Sequence, residues 1–118
     1  MIALIDSNII IDFLMNKPAA IEEIKKYTKI HVSIISYIEV MSILDLEDHD
    51  VANKFFDEVE IIQIERPIAN EVARIVTKGD ATFADAVIIA TSTIKNVLLV
   101  TCDDSLAYSN HPYTRHPY

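Results

Sequence analysis

Met1-Ile-Ala-Leu-Ile-Asp6-Ser7-Asn8-Ile-Ile-Ile-Asp12-Phe-Leu14 opens the chain, and the reading of this stretch decides the fold. Its apolar run over 2–5 stops abruptly on Asp6, and a short helical pattern follows over about 9–15. A strand without polar alternation is one covered on both faces, as in a parallel sheet. A carboxylate at the C-terminal end of such a strand stands in the crevice where open α/β sheets bind their ligands. Three other acidic residues occupy comparable strand–helix junctions: Glu39, Asp85 and Asp103. The four together point to one divalent metal ion.

The rest of the chain repeats the strand–helix alternation. Pro18 fits the first turn of a second helix, with Ile21, Ile24 and Tyr27 at helical spacing. Ile30 to Ile34 is a β-branched run, then Ser36-Tyr-Ile-Glu39 opens a helix to about Leu46. A helix from Asp48 or His49 carries Val51, Phe55, Phe56 and Val59 on one face. Glu60 to Ile64 is a third strand, and Pro67 opens the helix of Ile68, Val72, Ile75 and Val76. Gly79 is its left-handed stop. Thr82-Phe-Ala-Asp85 begins a helix to about Ile94, and Val97 to Thr101 is a fourth strand before Cys102-Asp103-Asp104 and a helical turn. The tail from Asn110 to Tyr118 repeats His-Pro-Tyr, which predicts an extended or loose end with a weak signal for a last edge strand. Strands alternating with helices predict an α/β fold, a three-layer parallel sheet with helices on both faces. The length, 118 residues without a linker or low-complexity segment, predicts a single domain over 1–118.

Composition removes whole classes of function. One glycine cannot supply either Gly-rich phosphate fingerprint, each of which needs at least two. One cysteine, Cys102, leaves no internal disulfide and no multi-cysteine zinc site, which fits a reducing, cytoplasmic compartment. The N-terminus does not read as a signal peptide, since Asp6 and Asp12 break its apolar stretch. The four histidines lack zinc spacing and read as core or solvated residues. A net charge of −8 argues against a broad basic nucleic-acid surface, unless bound cations offset part of it.

Each carboxylate has a plain alternative. Asp6 or Asn8 caps a helix in one reading, Ser36-x-x-Glu39 and Thr82-x-x-Asp85 match capping boxes, and Asp103 caps the last turn. Together they say more. If strands one and four are neighbours and strand two lies on the other side of strand one, the crevice is a topological switch point within reach of all four acids. Carboxylates gathered there repel, and need protons or a cation to coexist. All-oxygen donors select a hard ion, Mg²⁺ or Mn²⁺.

At this point the sequence resembles the PIN domains. Leu4-Ile-Asp6-Ser7-Asn8 resembles their opening motif, with Ser7 where Thr is usual. Ser36-x-x-Glu39, Phe83-Ala-Asp85-Ala-Val-Ile-Ile-Ala90-Thr91 and Leu99-Val-Thr101-Cys-Asp103-Asp104-Ser-Leu106 resemble the three that follow. The resemblance spans about residues 2 to 106, and the short length is similar to the toxins of VapBC-type toxin–antitoxin pairs. It implies strand order 3-2-1-4-5, metal-dependent RNA cleavage, a homodimer and a partner antitoxin. Asp6, Asp85 and Asp103 would then hold Mg²⁺ or Mn²⁺, with Glu39 a further ligand or water-orienting base. Ser7, Asn8 and Thr101 would support them, and Asp104 competes with Asp103 for the fourth place. Lys17, Lys78 and Lys95 are the candidates for binding an RNA backbone.

Three competing readings fit less well. A receiver-type signalling domain wants two adjacent acids after the first strand and a lysine after the last. A haloacid-dehalogenase-type phosphatase wants Asp-x-Asp where the chain has Asp6-Ser7-Asn8. A catalytically silent PIN binding module would have no use for all four acids.

Overall fold

A computed structural model describes residues 1–107 and 113–118. Five parallel strands form one sheet in the order β3-β2-β1-β4-β5: β1 Ile2–Ile5, β2 Lys29–Ser33, β3 Glu60–Ile62, β4 Leu98–Val100 and β5 Thr114–Arg115. The expected order holds, and β5 supplies the weakly signalled edge. The first three residues of the His-Pro-Tyr tail, 110–112, lie outside the described residues.

Alternation along the strands assigns the two faces. Ala3 and Ile5 of β1, with Val32 and Val100, bury against α1 (Ser7–Leu14), α2 (Pro18–Ile24), α3 (Ile34–Ile43) and α4 (His49–Asp57) through Ile9, Ile10, Ala20, Val40, Ala52 and Phe56. Leu4, between them, points the other way with Leu99 onto Ile88 of α6 (Phe83–Lys95) and Leu106 of α7 (Asp104–Ala107). Ile62 extends that second layer onto α5 (Arg66–Thr77) and α6. Phe55 and Phe56 pack with Phe13 and Tyr37, ring centroids 4.8–5.3 Å apart, with Phe56 buried in the core and Phe55 partly buried against it.

Local chemistry fixes most boundaries. Asp6 caps α1 by accepting the Ser7 N–H at 2.8 Å, so α1 starts two residues earlier than the pattern suggests. Gly79 sits at φ 73 as expected, and Asn96 ends α6 in the same left-handed region. One expectation fails: Ser36 opens no capping box. The cap of α3 is Ser33, which accepts the Ile35 N–H at 3.2 Å, and Ser36 is wholly buried one turn inside the helix. The β-branched run Ile34-Ile35 masked that start, because its residues suit a strand as well as a helix.

Two polar features escape the sequence pattern. Glu23 is almost fully buried and accepts from Arg115 Nε and a second guanidinium nitrogen at 2.8 and 3.0 Å, from Lys26 at 2.9 Å and from the Tyr27 hydroxyl at 2.5 Å. Asp12 accepts the Tyr118 hydroxyl at 2.7 Å, with Lys17 beside both. The last six residues are thereby tied to α1 and α2.

Candidate metal centre

β1 pairs with β2 on one side and β4 on the other, so the chain leaves β1 at a point where the sheet order reverses. Such a point opens a crevice at the C-terminal strand ends. Asp6 stands there directly after β1, and its backbone N–H donates to the Val100 carbonyl at 3.0 Å. The Thr101 hydroxyl, one residue past β4, donates to Asp6 Oδ2 at 2.7 Å. Asn8 closes the corner: its amide nitrogen lies 3.4 Å from Asp6 Oδ2, and its oxygen accepts the Cys102 N–H at 3.3 Å. Asp6, Thr101 and Asn8 therefore lock the ends of β1 and β4 together.

The other acids arrive from three elements. Asp103 follows β4, with its N–H donated to the Thr101 hydroxyl oxygen at 3.0 Å. Asp85 lies in the first turn of α6, capped by Thr82 as the sequence pattern predicts. Glu39 projects from α3 and is met by the Ser7 side chain through a hydrogen bond. Asp104 stays apart, exposed and 3.3 Å from His116, so the geometry separates it from Asp103.

The electrostatics are those of crowded like charges. Burial is the main cause that raises the Asp6 carboxyl above its ordinary range, and the Asp103 and Asp85 charges push the same way. Bonds from Thr101 and Ser7 oppose the rise. Glu39 is also raised, first by burial and then by Asp6, Asp85 and Asp103, with the Ser7 bond opposing. Asp6 thus feels Asp103 and Asp85, and Glu39 feels all three, across two strand ends and two helices.

The arrangement is spread rather than closed. Among the described residues, only Asp45, Glu47 and Asp48 bring three ligand-type oxygens within 4.8 Å of one another, and they are exposed around a short 3-10 turn. No three of Asp6, Glu39, Asp85 and Asp103 come that close. A spread all-carboxylate set fits a small hard ion that keeps several waters and takes one or two carboxylates directly. The donor chemistry and the mutual repulsion both fit such an ion.

Two of the suggested RNA-binding lysines do not face this crevice. Lys17 is paired with Asp12 at 3.6 Å and lies over the Tyr118 ring. Lys95 ends α6, ten residues beyond Asp85, which is about 15 Å along a helix. It acts on His31 and Glu60 near the start of β3 instead. The histidines keep their bland roles: His31 is buried, His49 lies 3.0 Å from the Met41 carbonyl, and His111 falls outside the described residues. Sequence reading missed Ser105, whose hydroxyl lies 2.8 Å from Asp103 and 3.5 Å from Asp85.

Similar structures carry the same fold. A toxin–antitoxin complex from Klebsiella pneumoniae matches with a TM-score of 0.88 at 24% identity, covering 98% of each chain. VapBC2 from Rickettsia felis, bound to a promoter DNA fragment, matches at 0.81 and 17% identity, covering 98% of each chain. DNA-bound VapBC from Salmonella typhimurium matches at 0.80 and 18% identity, covering 98% of this chain and 97% of that one. No curated protein sequence matches the chain. Residues 3–109 match the family model of the PIN domain. With that match over nearly its whole length, and with four acids gathered at the switch point of a 3-2-1-4-5 sheet, the chain belongs to the PIN domain family.

Proposed function

We propose that this protein is a metal-dependent endoribonuclease of the cytoplasm, the toxin of a VapBC-type toxin–antitoxin pair. The observation that carries the reading is the convergence of Asp6, Glu39, Asp85 and Asp103 on the β1–β4 crevice of a PIN fold. Asp6, Asp85 and Asp103 would hold Mg²⁺ or Mn²⁺. The ion, when bound, lowers the pKa of a coordinated water and offsets charge on a phosphodiester under in-line attack. Glu39, its carboxyl raised, would orient that water or take its proton. Thr101 and Asn8 would hold Asp6 in one rotamer, and the Ser7 side chain would support Glu39. The test is total RNA incubated with the purified, partner-free protein in Mn²⁺, in Mg²⁺ and in EDTA. Cutting that needs metal supports the nuclease; none in any metal favours a silent binding module.

An antitoxin partner follows from the same reading, since the similar structures named above are toxin–antitoxin complexes. A groove of about 1080 Å³ between α1, α2 and α4 suits an apolar segment of such a partner. Its floor includes Phe13, Leu14, Ile21, Ile24, Val51 and Phe55, and none of the four acids lines it. Val51 is exposed, so Val51→Glu should fold normally. Its affinity for the cognate antitoxin should fall by roughly ten- to a hundredfold in calorimetry, because a charge must be desolvated. Unchanged affinity would remove the groove from the interface. The proposal includes a homodimer, supported by the exposed apolar side chains Ile38 and Ile43 on α3 and Phe83 on α6.

A further inference from the structure

A line of hydrogen bonds runs through the candidate metal centre and ends on a residue outside its four acids. Asp6 accepts from the Thr101 hydroxyl at 2.7 Å, and that oxygen accepts the Asp103 N–H at 3.0 Å. Asp103 is gripped in turn by Ser105. The Ser105 backbone N–H and hydroxyl both lie on Asp103 Oδ1, at 2.9 and 2.8 Å. The same hydroxyl stands 3.5 Å from Asp85 Oδ2. One hydroxyl has one proton. The shorter distance gives it to Asp103, and Asp85 rests against the same oxygen. Ser105 therefore touches two acids that different elements deliver, Asp103 from the end of β4 and Asp85 from α6.

We infer that Ser105 is a positioning residue for the metal centre: it pins Asp103 through Oδ1 and fixes the spacing at which Asp103 and Asp85 meet a hard cation. The inference rests on the metal-dependent reading above and adds a residue to it. The chemistry is that of partners behind a ligand. A carboxylate with one oxygen occupied by two donors cannot rotate freely, so its second oxygen has one direction to offer. Oδ2 of Asp103 takes no hydrogen bond among the described residues. Removing such a partner typically weakens metal binding by roughly ten- to a hundredfold. Ser105 is exposed, so Ser105→Ala deletes a hydroxyl without opening the core.

The experiment is Mn²⁺ alone titrated into the full chain, with free Mn²⁺ counted by electron paramagnetic resonance. The parent, Ser105→Ala and Ser105→Thr are compared, and the melting temperature of each is recorded. The expected result is a Kd at least tenfold weaker for Ser105→Ala at an unchanged melting temperature, with Ser105→Thr close to the parent. A Ser105→Ala Kd equal to that of a metal-binding parent overturns the role of Ser105 and leaves the metal centre standing. A loss that Ser105→Thr fails to restore also overturns it, since the hydroxyl is then not what matters. A parent that binds no Mn²⁺ overturns the metal centre itself, and the inference with it.

Discussion

Asp6→Asn should remove metal-dependent RNA cleavage and leave the metal-free protein at least as stable as the parent. The two halves have one cause. Asp6 is 5% exposed, and burial holds its carboxyl above the ordinary value of 3.8. A carboxylate whose folded pKa is raised binds its proton better folded than unfolded. Folding stability therefore falls as pH rises above the unfolded value, and the deficit is complete once pH exceeds the raised folded value. Glu39, raised by burial and by the same neighbours, adds to it. Asparagine deletes the buried charge and keeps an oxygen for the Ser7 N–H that caps α1. The same change deletes an anionic ligand from the ion. A metal supplies several kcal/mol of charge stabilisation, so the rate should drop on the order of a thousandfold. The check is paired: cleavage of RNA in Mn²⁺, and thermal unfolding at neutral pH in EDTA. Excess Mn²⁺ should then raise the melting temperature of the parent more than that of the variant, because only a ligand that binds the folded state stabilises it. Cleavage by Asp6→Asn at the parent rate would be fatal to the proposed site.

What the sequence made legible were features with local causes. An apolar run ending on Asp6 fixed β1 and the crevice, and Leu98–Val100 with Thr101 fixed its neighbour. Thr82 and Asp85 were readable as a cap because both partners lie within one turn. Ser36 misled for a related reason. The spacing Ser36-x-x-Glu39 satisfies a capping pattern, but the helix begins three residues earlier, where Ser33 ends β2 and takes the cap itself. The different surroundings of Asp103 and Asp104 were not legible, since only the fold turns Asp104 toward His116. Ser105 was hidden because a serine in a turn has many uses, and its contact with Asp85 spans 20 residues. Glu23 was hidden more deeply. Its helix neighbours Lys26 and Tyr27 lie at visible spacing, but Arg115 is 92 residues away on the shortest strand of the sheet.

That hidden contact sets the largest expected loss of stability, in Glu23→Ala. Glu23 is 2% exposed, and its carboxyl is lowered to about 2, first by the Arg115 guanidinium and then, against the opposing effect of burial, by Tyr27 and Lys26. Deleting one partner of a buried ion pair typically costs about 3–5 kcal/mol, because the other charge is left behind. Here Arg115 and Lys26 reach solvent and can rehydrate, so the loss should fall near the lower end, about 3 kcal/mol. The lowered pKa gives a similar figure independently: a shift from 4.5 to about 2 corresponds to about 3 kcal/mol. Its sign is opposite to that of Asp6. A carboxylate with a depressed folded pKa stabilises fully above its unfolded value, and the contribution drains away as pH falls from 4.5 toward 2. Urea unfolding of parent and Glu23→Ala at neutral pH, at pH 4.5 and toward pH 2 should therefore show two curves that converge in acid. Curves that stay parallel would mean that the contact with Arg115 contributes nothing through charge. The consequence reaches the metal centre, because β5 is held on one side by Arg115 and on the other by its pairing to β4. The Arg115 carbonyl accepts the Thr101 N–H at 3.0 Å, and Thr101 is the residue that donates to Asp6. Freed of Glu23, that two-residue edge strand loses its tie to α2, so Glu23→Ala should also lower cleavage, through a looser Thr101 rather than through any lost ligand.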